Sequence, residues 1–393
     1  MKRQYELLAP SGSFASLVAA ITAGADSVYF GLDEEGTNMR ASAKNFSLAD
    51  LPKMRKMCGK KVKMYLTLNT IIYDNEIQRI EKIVKEAKKY VDAIICWDFA
   101  IINLCRKYKI PFHISTQASV SNIEAAKFYK KLGAERIVLA RELNLEQIKK
   151  ISKIIDIECF IHGAMCVSIS GRCFTSQFLF GKSANRGECL HPCRRQYDVT
   201  DDEGKKLKLE NNKVMSAKDL CTLPFIEELK KAGIKAFKIE GRNKEPEYVD
   251  TTTRVYRKAL DKKLTPSEIE ESLAELKKVY NKEFSSGFFL GVPTNDDFSK
   301  TENSSATHRK EFIGSIFEYY SKIGVAAIKM SSGKIKIGDE LLILGDKTGV
   351  IRHKIERIEV DKKQVNEAKK SMEVGIKISG VRKGDKVYLV VKK

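Results

Sequence analysis

The chain has 393 residues, of which 43% are hydrophobic and 31% are charged. This composition excludes a disordered chain and a protein built from membrane spans, and the length allows one large domain or a pair of domains. Lysine and arginine number 71 against 51 aspartates and glutamates, a formal net charge of +20. Such an excess indicates a polyanionic partner, nucleic acid ahead of a membrane, unless many lysines only form solvated helix faces.

Eight short apolar segments alternate with amphipathic helical patterns over the first 260 residues. Their near-continuous hydrophobicity is typical of strands that are buried on both faces of a parallel sheet. The predicted strands are Glu6–Ala9, Ser27–Gly31, Lys63–Leu68, Ala93–Trp97, Phe112–Thr116, Arg136–Ala140, Glu158–Ile161 and Ala236–Glu240. Eight such units predict an α/β fold, a (β/α)8 TIM-like barrel over residues 1–265, with a doubly wound open sheet as the alternative.

Two further regions follow the predicted barrel. A capping box at Thr265–Glu268, with proline at the first helical position, begins a helical extension and linker over residues 266–306. From residue 307 to 393 the hydrophobic period changes to two, which predicts a small antiparallel β-barrel with strand–turn–strand units at Ile335–Ile343 and Val381–Leu389. Residues 310–393 hold 19 Lys and Arg against 11 Asp and Glu, a net charge of +8.

The barrel prediction places the chemistry at the carboxyl ends of the strands, because that face of a TIM barrel carries the active site. The predicted strand ends carry polar residues: Asn69, Asp98, Gln117, Arg141 with Glu142, His162, and Glu240 with Arg242. Lys238 and Glu240 share one face of their strand and are expected to point into the barrel. A carboxylate beside a guanidinium at this rim predicts either a structural ion pair or a substrate clamp.

Nine cysteines occur without a recognisable secretory leader, so we expect a cytoplasmic protein with free thiols. Four of them, Cys166, Cys173, Cys189 and Cys193, follow the spacing C-x6-C-x15-C-x3-C among polar residues, glycines and a proline. This pattern predicts a metal centre, and both zinc and an iron–sulfur cluster are compatible with four thiolates. Cys58, Cys96, Cys105 and Cys159 are predicted core residues, and Cys221 is undecided.

Charged residues surround the four cysteines. Arg172, Arg186, Arg194 and Arg195 would offset the charge of four thiolates or bind an anionic substrate. His162 at the start of the same stretch is either a proton carrier, a ligand or a structural histidine. The chain has no phosphate-binding P-loop, no zinc-protease His-Glu-x-x-His and no Gly-x-Ser-x-Gly elbow.

The cysteine block, with HGAMCVSISGRC from His162 and NRGECLHPCRRQY from Asn185, resembles the signature of the peptidase U32 family (collagenase-like). Further segments are similar to that family: LLAPSGSFASLVAAITAGADSVYFG at Leu7–Gly31, ISTQASVSN at Ile114–Asn122, SAKDL at Ser216–Leu220 and FKIEGR at Phe237–Arg242. The segment Val374–Tyr388 resembles the C-terminal domain of the family, which is similar to domain two of elongation factor Tu. His191 occupies a position that is usually glutamine in the family.

The resemblance implies a function as well as a fold. The basic tail makes the chain most similar to the branch of the family that hydroxylates the wobble uridine of tRNA, without oxygen and in a prephenate-dependent way. It implies a [4Fe-4S] cluster on Cys166, Cys173, Cys189 and Cys193. From their places at the predicted rim and beside the cysteines, we expect catalytic roles for Glu240, Arg242 and His162, and binding of the cofactor or co-substrate by Arg172 and Arg40. The expected partners are tRNA and a paralogous U32 protein, with no membrane. The alternatives are a peptidase, after the family name, and an RNA-binding scaffold with structural zinc.

Overall fold

The first two thirds of the chain form a closed barrel of parallel strands in the computed structural model, which describes residues 3–39, 45–169, 172–198, 200–206, 215–301 and 303–393. The strands of this part are β1 (Glu6–Pro10), β2 (Ser27–Phe30), β3 (Lys63–Leu68), β4 (Ala93–Cys96), β5 (Phe112–Ile114), β6 (Arg136–Val138), β7 (Asp156–Gly163), β8 (Asp219–Cys221), β9 (Ala236–Ile239) and β10 (Phe284–Ser285). Strands β1 to β7 pair in sequence, and β9 pairs in parallel with both β7 and β1, which closes the ring. This closure confirms the predicted (β/α)8 barrel and rules out the alternative of an open sheet.

Helices surround the barrel and connect its strands. They are α1 (Phe14–Thr22), α2 (Leu51–Cys58), α3 (Ile77–Ala87), α4 (Phe99–Tyr108), α5 (Ile123–Lys131), α6 (Leu145–Ile151), α7 (Thr175–Phe180), α8 (Ile226–Lys231), α9 (Pro246–Asp261) and α10 (Pro266–Lys278). The predicted capping box begins α10: Glu268 N–H donates to Thr265 Oγ1 and Thr265 N–H donates to Glu268 Oε2. Among the helices described, none combines the length and hydrophobicity that crossing a bilayer requires.

Two short strands were not predicted from the sequence. Strand β8 runs antiparallel to the carboxyl end of β7, and β10 adds to β8 in parallel. They have three and two residues, too few to produce a hydrophobic period. Together they brace the carboxyl mouth of the barrel on the side of β7.

The barrel interior is unusual because its lower half, at the amino ends of the strands, holds charges instead of branched aliphatic residues. Arg136 forms a bidentate ion pair with Glu6, with Nη2 2.7 Å from Oε2, and Arg136 Nη1 also lies 3.3 Å from Glu158 Oε2. Tyr65 and Ser27 each donate a hydrogen bond of 2.7 Å to Glu6 Oε1. This lower network of Glu6, Arg136 and Glu158 joins both acids to the same guanidinium. Most of the hydrophobic core lies outside it, between the strands and the helices.

The tail forms an antiparallel domain, as predicted. Its strands are β11 (His308–Tyr320), β12 (Val325–Met330), β13 (Lys334–Lys336), β14 (Glu340–Gly345), β15 (Gly349–Lys354), β16 (Ile358–Val360), β17 (Lys363–Val365), β18 (Glu367–Lys369), β19 (Glu373–Lys377) and β20 (Lys386–Lys392). Eight of them form one sheet in the order β15-β14-β20-β11-β12-β19-β16-β17, and β13 pairs with β18. A single hydrophobic core lies inside these strands.

Two Gly-Asp turns of the tail use the same chemistry. Asp339 Oδ2 accepts a hydrogen bond from the backbone of Lys336, and Asp385 Oδ2 accepts one from the backbone of Arg382. The first turn joins strands β13 and β14, as predicted. The second is preceded by irregular backbone, so the predicted strand before it at Val381 is wrong, although Val381 is buried in the core.

The tail packs against the outside of the barrel. Ala19 of α1 lies in one small apolar cluster with Leu342, Leu344 and Val350. Beside it, Lys310 Nζ lies 2.6 Å from Glu247 Oε1 of α9. The tail is therefore attached near β1 and β9, close to the strand ends that carry Arg242.

Candidate functional site: a thiol-lined cavity at the barrel mouth

A cavity of about 1310 Å3, its open mouth included, lies at the carboxyl ends of the barrel strands. It brings together five of the polar residues expected there: Asn69, Gln117, Arg141, Glu240 and Arg242. The four cysteines with the unusual spacing line the same cavity. Strand ends and cysteine segment thus meet at one place, the place where TIM barrels bind their substrates.

Arg242 is buried and held in a fixed orientation at the cavity wall. Its Nη1 donates to Thr67 Oγ1 at 2.8 Å and to Asn38 Oδ1 at 3.0 Å. Gly31 makes room for this arrangement, because a Cβ at that position would lie 2.7 Å from Arg242 Nη1 and 2.6 Å from Asn38 Cγ. A guanidinium placed in this way can form a paired hydrogen bond with a carboxylate.

Lys238 and Glu240 both face the cavity, as their shared strand face predicted. Lys238 Nζ lies 2.8 Å from Glu158 Oε1, so this lysine links the cavity to the lower network. Burial lowers the pKa of Lys238, although the Glu158 carboxylate acts in the opposite direction. The backbone of Glu240 is fixed on both sides, since its N–H donates to His162 O at 2.8 Å and its carbonyl accepts from Tyr248 Oη at 2.9 Å.

Arg141, which follows β6, and a group of neutral polar side chains that follow β3 and β5 also line the cavity. Arg141 stacks over Phe160, with 4.1 Å between its Cζ and the ring centroid, and donates to Ala164 O at 2.9 Å. Asn69 Nδ2 donates to Gln117 Oε1 at 3.3 Å and to Ser115 Oγ at 3.4 Å. The described charged lining therefore consists of four cations, Arg141, Arg194, Lys238 and Arg242, against the carboxylate of Glu240. This balance favours an anionic ligand.

The four thiols are close enough to influence one another. Burial raises the pKa of Cys193, and the neighbouring Cys166, Cys189 and Cys173 raise it further against the opposing charge of Arg194. Cys189 Sγ accepts a hydrogen bond of 3.4 Å from the backbone N–H of His191. Cys166 is exposed and the other three are partly exposed, unlike ordinary core cysteines.

The donor set fits an iron–sulfur cluster in chemistry, because such clusters are held by four cysteine thiolates and tuned by hydrogen bonds to sulfur. Within the described residues, no three His, Cys, Asp or Glu side chains are grouped so that they could hold a metal ion as they stand. The thiols line a shared space at the cavity wall.

Two arginines of the cysteine segment anchor it to the barrel. Arg186 pairs with Glu76, with Nη2 2.6 Å from Oε1 and Nη1 3.0 Å from Oε2. Arg194 donates to Met165 O at 2.6 Å and also to Ala217 O. These bonds explain how an irregular segment keeps its thiols at the mouth, and of the four arginines named from the sequence only Arg194 is among the described residues that line the cavity.

Several residues predicted for the site lie elsewhere. The ring of His162 is buried among Tyr248, Tyr256 and Phe284, and burial lowers its pKa to about 3 despite the charge of Glu240. A register shift in β7 between Phe160 and His162 turns this side chain away from the barrel interior. His162 is thus placed as a neutral packing residue, while His191 lines the cavity.

The remaining candidates divide into three groups. Asp98 caps α4 by accepting from Ala100 N at 2.9 Å, and Glu142 is exposed. Arg172 is exposed outside the cavity lining, and Arg40 lies outside the described residues. Cys221 is buried against Tyr256, where burial raises its pKa to about 11, so it joins the core cysteines.

Sequence reasoning missed Asn38, Thr67 and Ser115, which orient the charged and amide groups of the cavity. One signal was present for Thr67. In the apolar strand β3, Tyr65 and Thr67 place hydroxyl groups at alternate positions, which indicates that one face of the strand is polar. Asn38 lies in a loop and carries no comparable signal.

A parallel barrel with thiols and cations gathered at its carboxyl mouth defines the class: a TIM-barrel protein with a candidate active site at the usual end. The profile of Peptidase family U32 matches residues 12–299, and the chain belongs to that family. A collagenase of Porphyromonas gingivalis is 41% identical over 98% of this chain and 97% of its own length. The tRNA hydroxylation protein P1 of Bacillus subtilis is 34% identical over 90% of this chain and 86% of its own. A 23S rRNA 5-hydroxycytidine synthase of Escherichia coli is 40% identical over 65% of this chain and 39% of its own.

Proposed function

We propose that this chain is an RNA-modifying enzyme that hydroxylates a pyrimidine base, most specifically the 5-position of the wobble uridine of tRNA. The observation that carries the proposal is the meeting of four thiols and a cationic wall in one cavity at the catalytic end of the barrel. Two relatives named for tRNA hydroxylation and for 5-hydroxycytidine synthesis in rRNA support the same substrate class.

Hydroxylation requires redox chemistry that side chains do not supply. Replacing C–H by C–OH adds one oxygen atom and withdraws two electrons from the base, so the reaction needs an oxygen source and a two-electron acceptor. We propose that Cys166, Cys173, Cys189 and Cys193 hold a [4Fe-4S] cluster, which supplies electron transfer when bound. Prephenate, a dicarboxylate, is the proposed co-substrate of the oxygen-independent reaction.

The residues of the cavity then have separate tasks. The fixed guanidinium of Arg242 binds a carboxylate of the co-substrate, and Arg141, which also lines the cavity, offers a second cation. Glu240, the described carboxylate of the lining, holds or moves a proton at its Oε atoms. Lys238 is already paired with Glu158, so its charge is partly neutralised. Its role is to orient the ligand and to add to the positive electrostatic potential of the cavity.

The basic tail is proposed to hold the RNA backbone. Its net charge of +8 over residues 310–393 suits phosphate binding, which weakens steeply as salt increases. The proposed substrate is cytoplasmic tRNA, with a paralogous U32 protein as a further proposed partner.

The proposal is tested by mass spectrometry of tRNA nucleosides from a deletion strain. Loss of 5-hydroxyuridine and its derivatives is expected, with restoration by the wild-type chain and by Cys58→Ser but not by Cys189→Ser. Cys58 is a matched control because it is a buried cysteine at the end of α2, outside the cavity. An unchanged nucleoside profile in the deletion strain contradicts the proposal.

A peptidase is the second candidate, because the collagenase named above is 41% identical over nearly the whole chain. The cavity contains thiols and His191, which are groups that proteolysis can use. Gelatin cleavage by the purified chain, abolished by Cys166→Ser or Glu240→Gln, would favour this candidate. An RNA-binding scaffold with structural zinc is distinguished by one bound zinc and no visible absorbance.

A further inference from the structure

The cysteine segment exposes an unusual amount of apolar surface. Phe178 is 84% exposed and Phe174 is 56% exposed, and Val167, Ile169, Leu179 and Leu190 are each more than 40% exposed. Exposed apolar side chains that cluster in one short segment, two of them in ring contact, indicate an interaction site more than singly scattered surface residues do.

This apolar surface borders the proposed active site. Phe174 lies between Cys173 and Thr175, and both of these residues line the cavity. Val167 and Leu190 likewise each follow directly on a cavity cysteine, Cys166 and Cys189. A ligand in the cavity that extends out of the mouth on this side therefore meets the exposed rings first.

The rings are arranged for planar partners. Phe174, the residue before α7, and Phe178 within this helix have ring centroids 6.2 Å from each other. Phe180, which is 36% exposed, lies under the guanidinium of Arg195, whose Cζ is 4.7 Å from the ring centroid. The Phe180–Arg195 stack lies on another face of this helix, and we call Phe174 and Phe178 the aromatic rim. Aromatic rings and arginine planes together are the surfaces on which proteins stack unpaired nucleobases.

Charge distinguishes among possible occupants. Residues 164–195 contain five arginines and lysines and one acidic residue, Glu188. Arg186 and Arg194 anchor the segment, whereas Arg172, Lys182 and Arg195 are exposed, so the surface of the segment is positively charged and complements phosphates. Unpaired loops with splayed bases are the form of RNA that proteins recognise by stacking.

We propose that the aromatic rim stacks an unpaired nucleotide adjacent to the base that enters the cavity. The rim then selects single-stranded loops over paired RNA, because only an unpaired base exposes its face to the ring of Phe178. This inference rests on the proposed function, since it assigns the binding site for the nucleotide that flanks the reactive base.

The test measures the affinity of the purified full chain for a fluorescein-labelled oligouridylate of about ten nucleotides, a length within the usual range of single-strand sites. Phe178→Ala is expected to weaken binding about fivefold or more, the effect of losing one stacked base. Phe178→Tyr keeps a planar ring and is expected to bind within about twofold of wild type, whereas Phe178→Leu is expected to behave like Phe178→Ala. Because Phe178 is so exposed, none of these changes leaves a cavity in the core.

Two controls separate stacking from other causes. Phe128→Ala removes another exposed ring, 53% exposed on α5, and is expected to bind RNA like wild type. An oligonucleotide with the same phosphates but abasic sugars is expected to bind wild type and Phe178→Ala equally. Wild-type affinity in Phe178→Ala overturns the proposal, as does full affinity in Phe178→Leu, which would indicate an apolar surface for a protein partner.

Failure of this inference is distinguishable from failure of the proposed function. Loss of 5-hydroxyuridine in the deletion strain together with wild-type RNA affinity in Phe178→Ala overturns the aromatic rim alone. An unchanged nucleoside profile together with binding that depends on Phe178 overturns hydroxylation alone and leaves RNA stacking in place.

Discussion

The lower and upper halves of the barrel interior both contain charged side chains, but they use them differently. In the lower half, the carboxylates of Glu6 and Glu158 share the guanidinium of Arg136. In the upper half, Arg141, Arg242 and Glu240 line a cavity of about 1310 Å3. Charge inside a barrel is therefore not a mark of function by itself. What distinguishes the site is that its charged side chains line a cavity.

Lys238 belongs to both halves. Its Nζ is paired with Glu158 at 2.8 Å, and its side chain also lines the cavity. The lower network therefore positions one wall of the site. If the two halves differ as described, substitutions in the lower half should mainly reduce the stability of the fold. Substitutions in the upper half should mainly weaken ligand binding.

The largest expected effect belongs to the lower half. Glu158→Ala leaves Lys238 and Arg136 buried without their shared partner, and removing one member of a buried ion pair costs about 3–5 kcal/mol of unfolding free energy. Urea denaturation measures this change. Glu203→Ala is the matched control, because it breaks an exposed pair with Lys205 and should leave the unfolding free energy unchanged. Equal stabilities of the two variants would show that the lower network is not structural.

A pH dependence of slightly smaller size follows from Glu6. Burial by itself would raise the pKa of Glu6, but the hydrogen bonds and charge of Arg136 lower it to about 2, against an ordinary value of 4.5. Its contribution to stability, on the order of 3 kcal/mol, is present above pH 4.5 and is lost as the pH falls towards 2. Unfolding free energies measured across this window should fall less steeply in Glu6→Gln than in wild type. Parallel curves would contradict this assignment.

A substitution in the upper half should weaken ligand binding and reduce the stability of the fold less. Arg242→Lys keeps the charge but loses the planar pair of donors, so the apparent affinity for prephenate should fall about tenfold or more. Isothermal titration calorimetry of the purified chain measures this affinity. Arg254→Lys, a half-exposed arginine on α9, is the control and should bind like wild type. Unchanged binding in Arg242→Lys would remove Arg242 from the ligand site.

Much of the architecture was predictable because it depends on local sequence patterns. The eight barrel strands lie in predicted apolar segments of four to six residues, the helix α10 has its capping box, and barrel topology places strand ends together. The cysteine cavity was predictable for a related reason, since four thiols with unusual spacing occupy one polar segment. These features need no knowledge of distant contacts.

The parts that could not be predicted depend on distant contacts or on irregular backbone. Arg242 is oriented by Asn38, which is 204 residues away in the chain. His162 suggested catalysis by its chemistry, but the register shift in β7 places its ring in the packed layer outside the barrel. Neither the pairing nor the shift has a local signature in the sequence.

Anaerobic purification followed by an iron count and an absorption spectrum determines whether the upper half holds the redox cofactor. A cluster at this site makes the wild-type protein brown, with about four irons per chain, as four cysteine ligands imply. Cys189→Ser should lose the iron and the visible absorbance, while Cys58→Ser should keep both. A colourless wild-type protein without iron, or a Cys189→Ser variant that retains all of its iron, would show that the four cysteines do not hold a cluster.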